Sequence, residues 1–144
     1  MTFMEVLNRL QEYFNDSTYE FVLLFGSYSN DTNNVLSDID IGVYFQDSVD
    51  YLELGYHIAK LETIFNLKID MIALNDIYKQ NPLFGFEILK NHKPIIINNQ
   101  EKYIEFKTKC QLYYLDAKPL IEQNRASLKQ RIANNKFGER DFAR

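Results

Sequence analysis

The segment from Asp38 to Phe45 constrains the fold of this chain more than any other, because its residues alternate between two chemical classes. From Ile39 onward every second residue is a large apolar one, and the intervening positions begin with Asp38 and Asp40. A repeat of two residues is that of a β-strand with one face on a core and the other face polar. The segment predicts a strand that buries its apolar side and carries two carboxylates on the other.

A second alternating segment runs from Leu67 to Leu74. Its apolar positions are in phase with one another, and Lys68 and Asp70 lie on the opposite side. If this strand is the neighbour of the first and in register with it, Asp70 stands beside Asp38 and Asp40. The two segments together predict three carboxylates on one face of a sheet.

The other segments predict helices and strands by their periodicity and by the residues at their ends. We expect helices over residues 2–15, 49–65, 83–91 and 100–132, and strands over residues 20–25 and 94–98. Asn75 is expected to cap a short helix before Pro82. Pro94 indicates an edge or strand-start position, and Pro119 is expected to kink or divide the last helix.

Two of the predicted helices have apolar faces that can be read from the spacing of their residues. In the helix over residues 49–65, the expected buried positions include Leu52, Tyr56, Ala59 and Ile64. In the last helix, a stripe of residues three and four apart consists of Tyr103, Phe106, Cys110, Tyr113, Tyr114 and Ala117. Cys110 is expected to be a small buried residue, and at least one of the adjacent tyrosines to lie in the core.

These elements, in the order α-β-β-α-β-α-β-α, predict an α+β (or small α/β) fold with a mixed sheet of about four strands. We expect helices on one face of the sheet plus a C-terminal helix. Residues 1–99 would form the main domain, including the N-terminal helix, and residues 100–144 a helical extension packed on it. A chain of 144 residues, 46% of them hydrophobic, suits one such unit.

The composition narrows the classes of function. The net charge of −4 argues against a broad, nonspecific nucleic-acid surface, which requires clustered Lys and Arg. The single cysteine permits no intramolecular disulfide, and no segment offers the roughly 20 apolar residues of a membrane span. The first residues also lack the apolar stretch of a signal peptide. We therefore expect a cytoplasmic protein with no membrane contact and no direct nucleic-acid binding.

The acidic residues and the turn that precedes them predict chemistry on phosphate. Asp38 and Asp40 are two apart on one strand, so their charges repel and favour a bound divalent cation. Gly26 and Ser27 end the preceding apolar run, where glycine permits close backbone approach and serine offers a hydroxyl and an amide to phosphate. With Asp70, the carboxylates would hold two Mg²⁺ ions for an in-line displacement at phosphorus.

Other interpretations of these residues are weaker. A lone Asp-x-Asp is usually a solvated strand face, but its combination with Gly-Ser and a third in-phase Asp is not. Ser27 as a hydrolase nucleophile would lack both a Gly-x-Ser-x-Gly motif and a well-placed His. Lys68 either offsets triphosphate charge or is simply solvated. His57 and His92 are expected to be structural or surface residues.

The run from Gly26 to Asp40 resembles the Gly-Ser-x10-Asp-x-Asp signature of the polymerase-β-like nucleotidyltransferase superfamily. Within it, the short chain resembles the minimal nucleotidyltransferases, specifically the MntA-type antitoxins, and the resemblance covers approximately residues 20–98. It implies the small polymerase-β-like fold, ATP as nucleotide donor and Mg²⁺ as metal. The expected nucleotide-binding residues are Gly26, Ser27, Ser37 and Lys68.

The resemblance also implies roles for the acidic residues and a partner for the chain. Asp38 and Asp40 would ligate Mg²⁺, and Asp70 would be a third ligand or the base, so these three are the expected catalytic residues. MntA-type proteins neutralise a HEPN-domain ribonuclease toxin by transferring AMP from ATP to one of its tyrosines. The implied function is therefore that of an antitoxin-type, Mg²⁺-dependent protein adenylyltransferase with a HEPN toxin as partner.

One departure from the family pattern concerns the residues that follow the Gly-Ser turn. Many members carry a small residue, a basic residue and a glycine after the Gly-Ser turn, where this chain has Ser29, Asn30 and Asp31. The change affects the triphosphate side and leaves the acidic residues intact. The departure supports the alternative of a catalytically weak antitoxin that acts by occlusion. A separate alternative, ranked lower because no large acceptor domain is evident, is a nucleotidyltransferase acting on a small molecule of the aminoglycoside type.

Overall fold

The structure, a computed structural model, describes residues 2–26 and 38–133, with side chains described as far as residue 125. In chain order its elements are α1 (Phe3–Tyr13), β1 (Phe21–Phe25), β2 (Ile39–Tyr44), α2 (Tyr51–Phe65), β3 (Ile69–Ala73), α3 (Ile77–Gln80), α4 (Pro82–Lys90), β4 (His92–Ile97) and α5 (Gln100–Ala133). Every predicted helix and strand is present, with ends shifted by no more than a few residues. In the part of the chain that is described, none of the helices combines the length and apolarity that crossing a membrane requires.

The four strands form one mixed sheet in the order β3-β2-β1-β4. Strand β1 is antiparallel to both β2 and β4, and β2 is parallel to β3. The α+β class and the mixed sheet of four strands are therefore confirmed. Strand β4 lies at an edge, as Pro94 predicted, because a proline cannot donate a hydrogen bond to a second neighbour.

Helices cover both faces of the sheet, so the expectation of a single covered face is wrong. On β1, Val22 and Leu24 belong to a core beneath α1 and α2. Phe21 and Leu23 point the other way, into a second core with residues of α3, α4 and α5. All five residues of β1 are buried and apolar. A central strand that is apolar on both sides requires packing on both sides, which places α3 and α4 opposite α1 and α2.

Side-chain caps determine where the helices begin. Asp50 accepts hydrogen bonds from the amides of Leu52 and Glu53, which begins α2. Asn81 accepts one from the amide of Phe84, which begins α4. Asn75 does not cap α3 as predicted. Its side chain pairs instead with the backbone of Phe45, accepting from its amide at 2.9 Å and donating to its carbonyl at 3.0 Å.

The buried face of α2 differs from the predicted one. Its core residues are Leu54, Leu61 and Phe65, whereas the four residues predicted to be buried are exposed: Leu52, Tyr56, Ala59 and Ile64. Apolar residues occur around much of this helix, so its sequence supports more than one apolar face. The choice between them depends on how α2 docks on the sheet.

Helix α5 packs its first half against the second core. Tyr103, Phe106 and Cys110 are buried, as predicted, and burial raises the pKa of the Cys110 thiol to about 12. Tyr113 and Tyr114 are not in the core, which corrects that expectation. The Tyr114 ring stacks on Phe86 at 3.9 Å between centroids, outside the buried cluster. Pro119 lies inside α5, which continues from Gln100 to Ala133, so the proline does not divide the helix.

Candidate active site

Strands β2 and β3 place two of the predicted carboxylates side by side. In their parallel register Asp40 is the direct partner of Asp70, and adjacent strands in a sheet are about 4.8 Å apart. Ile39 and Ile41 alternate with Asp40 and point into the core beneath α1 and α2. Both carboxylates therefore lie on the face that α3, α4 and α5 cover.

The carboxyl of Asp40 has an unusual proton affinity. Burial raises the pKa of Asp40 to about 6, with further contributions from the charges of Asp70 and Asp38 and from a hydrogen bond to Asp70. The charge of Lys68 acts in the opposite direction. A hydrogen bond between two carboxyl groups requires a proton on one of them. The pair is therefore an acidic site in which a cation could take the place of a shared proton.

Asp38 lies beside this pair but does not complete a cluster with it. It directly precedes β2 and is partly buried, and its charge acts on Asp40. Among residues 2–26 and 38–133, no group of three or more His, Cys, Asp or Glu side chains is assembled for a metal ion. The role of Asp38 as a metal ligand thus stays a prediction.

Gly26 directly follows β1 and lies against the side chain of Asp40. Its φ of +78° lies in the left-handed region that favours glycine. A Cβ at this position would also collide with the carboxylate of Asp40, whose Cγ would be 3.3 Å away. Both the backbone conformation and the space beside Asp40 therefore require glycine here.

The other predicted nucleotide-binding residues are less constrained. Lys68 is exposed at the start of β3, close enough for its charge to lower the pKa of Asp40. Ser27 and Ser37 lie outside the described residues, as do Ser29, Asn30 and Asp31. His57 and His92 are structural, as predicted: the former contacts the Tyr13 hydroxyl at 2.7 Å and the latter the Tyr103 hydroxyl at 2.7 Å.

The donor set of the pair suits a hard divalent cation. Asp40 and Asp70 present adjacent carboxylate oxygens, and Mg²⁺ is typically bound by one or two carboxylates together with water and substrate phosphates. A bound cation would also offset the burial and the repulsion that together raise the pKa of Asp40. The residues present therefore fit Mg²⁺, and they leave coordination positions for phosphate.

A cavity of about 250 Å³ adjoins Asp40 and Gly26 between the end of β1 and helix α4. Its α4 wall includes Phe84 and Glu87, which the sequence did not identify. No local signal marks them, because an exposed glutamate on a helix is common and only the docking of α4 brings it to the site. A larger cavity of about 490 Å³ lies between α1 and α2, on the opposite face from the carboxylates.

Comparison with protein families agrees with this geometry. The family described as "Polymerase beta, Nucleotidyltransferase" matches residues 8–101, which include the whole sheet, Gly26 and the acidic residues. This chain belongs to that family. The nucleotidyltransferase signature noted in the sequence is thereby confirmed at the level of the family.

Individual relatives extend the comparison. A Methanocaldococcus jannaschii protein named "Putative protein adenylyltransferase MJ1215" is 41% identical over 56 residues, which are 39% of this chain and 65% of that relative. The chain thus matches slightly less than two thirds of the relative's length.

Two solved structures share the fold. One is described as a toxin-antitoxin with AMP-PNP, with a TM-score of 0.57, 20% identity, and coverage of 89% of this chain and 96% of the other. The second contains a tri-AMPylated Shewanella oneidensis HEPN toxin with an MNT antitoxin, with a TM-score of 0.53, 18% identity, and coverage of 92% and 97%. At these identities the similarity shows that the fold is shared and nothing further.

Proposed function

We propose that this nucleotidyltransferase is an antitoxin that transfers AMP from ATP to a tyrosine of a HEPN ribonuclease toxin in an Mg²⁺-dependent reaction. The observation that carries the catalytic part is the pairing of Asp40 with Asp70 beside Gly26 at one end of the sheet. The choice of ATP and of a HEPN toxin is supported by the similar fold that was solved with AMP-PNP and by the AMPylated toxin bound to an MNT antitoxin.

The acidic residues would bind the metal ion and also accept a proton. Asp38 and Asp40 would hold Mg²⁺, with Asp70 as a third ligand or the base, and the Gly26-Ser27 turn would bind the triphosphate together with Ser37 and Lys68. When bound, Mg²⁺ would neutralise charge on the phosphates and on the leaving group. Positioning and charge neutralisation are the main sources of rate in phosphoryl and nucleotidyl transfer.

The proposed transfer requires no reactant other than the tyrosine and ATP. The tyrosine oxygen attacks the α-phosphorus, the bond from that phosphorus to the bridging oxygen breaks, and pyrophosphate leaves with the bridging oxygen. The hydroxyl proton passes to Asp70, which lies on the β3 side of Asp40. Asp70 is thus the proposed base, within reach of an acceptor that approaches from that side.

Label transfer tests this proposal. The protein is incubated with Mg²⁺, α-phosphate-labelled ATP and the proposed HEPN toxin, taken from the open reading frame next to its own because MntA-type antitoxins are encoded beside their toxins. The modified residue is identified by mass spectrometry. Asp40→Asn is expected to lower the rate at least about 100-fold, the loss typical of removing one charge-stabilising group. Asp47→Asn, at an exposed carboxylate after β2, is the matched control and is expected to retain the wild-type rate.

The outcomes separate the competing functions. Label on the partner that is lost with Asp40→Asn supports the proposal. Neutralisation of a toxic partner by Asp40→Asn at the wild-type level would identify an occluding antitoxin. Label on an aminoglycoside but not on the partner would identify a small-molecule nucleotidyltransferase.

A further inference from the structure

Helix α2 has a second apolar side that faces away from the core. Four apolar residues lie along it, and all of them are exposed: Leu52, Tyr56, Ala59 and Ile64. The residues that α2 packs against the sheet are a different set. We call the four exposed residues the outer face of α2. A helix that is apolar on two sides is typical of one that is covered on both, and clustered exposed apolar residues indicate an interaction surface.

A cavity of about 490 Å³ adjoins this face, between α2 and the end of α1. Its walls include Tyr56 and Ile64 of the outer face, together with Tyr13 and His57. The Tyr13 hydroxyl and the His57 ring are hydrogen-bonded to each other at 2.7 Å, which holds this part of the wall in place. The cavity and the outer face of α2 therefore form a groove with room for side chains of a partner.

The groove is acidic. Among its described wall residues, the carboxylates of Asp16 and Glu53 outnumber the ammonium of Lys60. Glu12 in α1 and Asp50 at the start of α2 are exposed and add negative charge on either side. Negative charge repels nucleic acids and anionic lipid surfaces and attracts a basic protein segment. The groove therefore fits an apolar helix that carries cations.

The second half of α5 has apolar residues that no core covers. Among the described side chains of α5, none after Cys110 belongs to either buried cluster. The helix nevertheless continues to Ala133, and its apolar residues include Leu120, which is 62% exposed, and Ile121. We call residues 118–133 the α5 tail. At a rise of 1.5 Å per residue the tail is roughly 24 Å long.

The charge of the α5 tail is opposite to that of the groove. Four of its residues are cationic and one is acidic: Lys118, Arg125, Lys129, Arg131 and Glu122. The outer face of α2 runs for roughly 18 Å along its helix, so the tail is long enough to cover it. An amphipathic helix that lies in an apolar groove of opposite charge is a common mode of protein recognition.

We propose that the α5 tail of one copy of this chain binds the groove beside α2 of a second copy. The occupant is not the tail of the same copy, because α5 packs on the face of the sheet opposite α1 and α2. The contact joins two different surfaces, and two copies that make it reciprocally form a closed dimer. The groove is on the opposite side of the sheet from Asp40 and Asp70, so this inference does not depend on the proposed function.

Complementation between two variants tests the proposal. The groove variant combines Glu53→Lys with Tyr56→Ser, and the tail variant combines Leu120→Ser with Arg125→Glu. Each variant removes an exposed apolar side chain and reverses an exposed charge on one of the two surfaces. The control is Glu101→Lys, at an exposed glutamate at the start of α5 and outside both surfaces. Sedimentation equilibrium over a range of protein concentrations measures the association of each.

The wild-type chain and Glu101→Lys are expected to associate equally, and each double variant alone at least about tenfold more weakly. An equal mixture of the groove and tail variants should form a species of two chains, because such a pair retains one intact groove and one intact tail. This species should bind more tightly than either variant alone and more weakly at high salt.

Three results would overturn the inference. The first is a wild-type chain that stays monomeric, and the second is association that both double variants retain. The third is a mixture in which the two variants fail to combine, because association would then depend on another contact, such as α5 against α5. All four substituted side chains are exposed, so each variant should keep the circular dichroism spectrum of the wild type.

Discussion

At the scale of single residues, Asp40 contributes to the candidate site and at the same time lowers the stability of the folded protein when it is ionised. It is partly buried against Asp70 and Gly26, and its pKa is raised to about 6 because burial and neighbouring charge oppose ionisation. A group with a raised carboxyl pKa favours the folded state when protonated and opposes it when ionised. Perturbed pKa values of this kind are common at functional sites.

We therefore expect Asp40→Asn to stabilise the protein in the absence of divalent ions, and to do so only above acidic pH. In the folded protein the pKa is about 6, whereas an unfolded Asp titrates near pH 3.9. The stability that protonation contributes is complete below pH ~4 and is lost as the pH rises through ~6. Because Asp40 is only partly buried, we expect a gain of about 1 kcal/mol at pH 8 and almost none at pH 4.

Thermal unfolding with a chelator present, from pH 4 to pH 8, measures this difference. Asp47→Asn is again the control, because its carboxylate is exposed. A constant difference between Asp40→Asn and the wild type across this range would contradict the raised pKa.

At the scale of secondary-structure elements, Gly42 in β2 and Gly55 in α2 have opposite environments. A Cβ at Gly42 in β2 would lie 2.7 Å from Cδ2 and 2.8 Å from Cγ of Leu74, a fully buried side chain. At Gly55 in α2, nothing lies within 4 Å of the same position. Gly42 is needed for packing, whereas Gly55 only lowers the helix propensity of an exposed helix face.

The two Gly→Ala substitutions should accordingly change stability in opposite directions. Gly42→Ala should lower the free energy of unfolding by about 1–3 kcal/mol, because Leu74 must move within a packed core. Gly55→Ala should raise it by about 0.5–1 kcal/mol, through the higher helix propensity of alanine. Urea titrations of both variants measure this, each serving as the control for the other. Equal effects would mean that Leu74 does not pack over β2 as the structure has it.

At the scale of the whole molecule, α5 is connected to the sheet by aromatic packing. Phe106 lies with its ring centroid 5.3 Å from that of Phe21 in β1, 6.1 Å from Tyr44 in β2 and 6.2 Å from Tyr78 in α3. It is 2% exposed. A residue with these contacts couples the C-terminal helix to the sheet that carries the acidic pair.

We expect Phe106→Ala to destabilise the entire fold, by about 3–5 kcal/mol, and not to release α5 alone. Unfolding followed by circular dichroism and by tyrosine fluorescence should then remain a single coincident transition. Leu112→Ala is the control on the same helix, because Leu112 is 58% exposed, and should change stability by no more than about 0.5 kcal/mol. Two separate transitions would instead support residues 100–144 as an independent unit.

The sequence by itself determined the elements, the mixed sheet and the chemistry of the candidate site. The alternation in β2 and β3 specified which residues of each strand face the core beneath α1 and α2, because a period of two places every second residue on the same side. Asp40 and Asp70 could be predicted to share a face for that reason, and Gly26 followed from its position at the end of an apolar run. These signals are local, so they can be read without knowing the fold.

Only the tertiary structure decided how the helices are arranged around the sheet. Residues of α2 are apolar on more than one side, so its buried face depends on docking against β-strands distant in sequence. The same holds for the second covered face and for the approach of Glu87 to Asp40. Helix packing is a sum of many weak long-range contacts, and no short stretch of sequence contains both partners of such a contact.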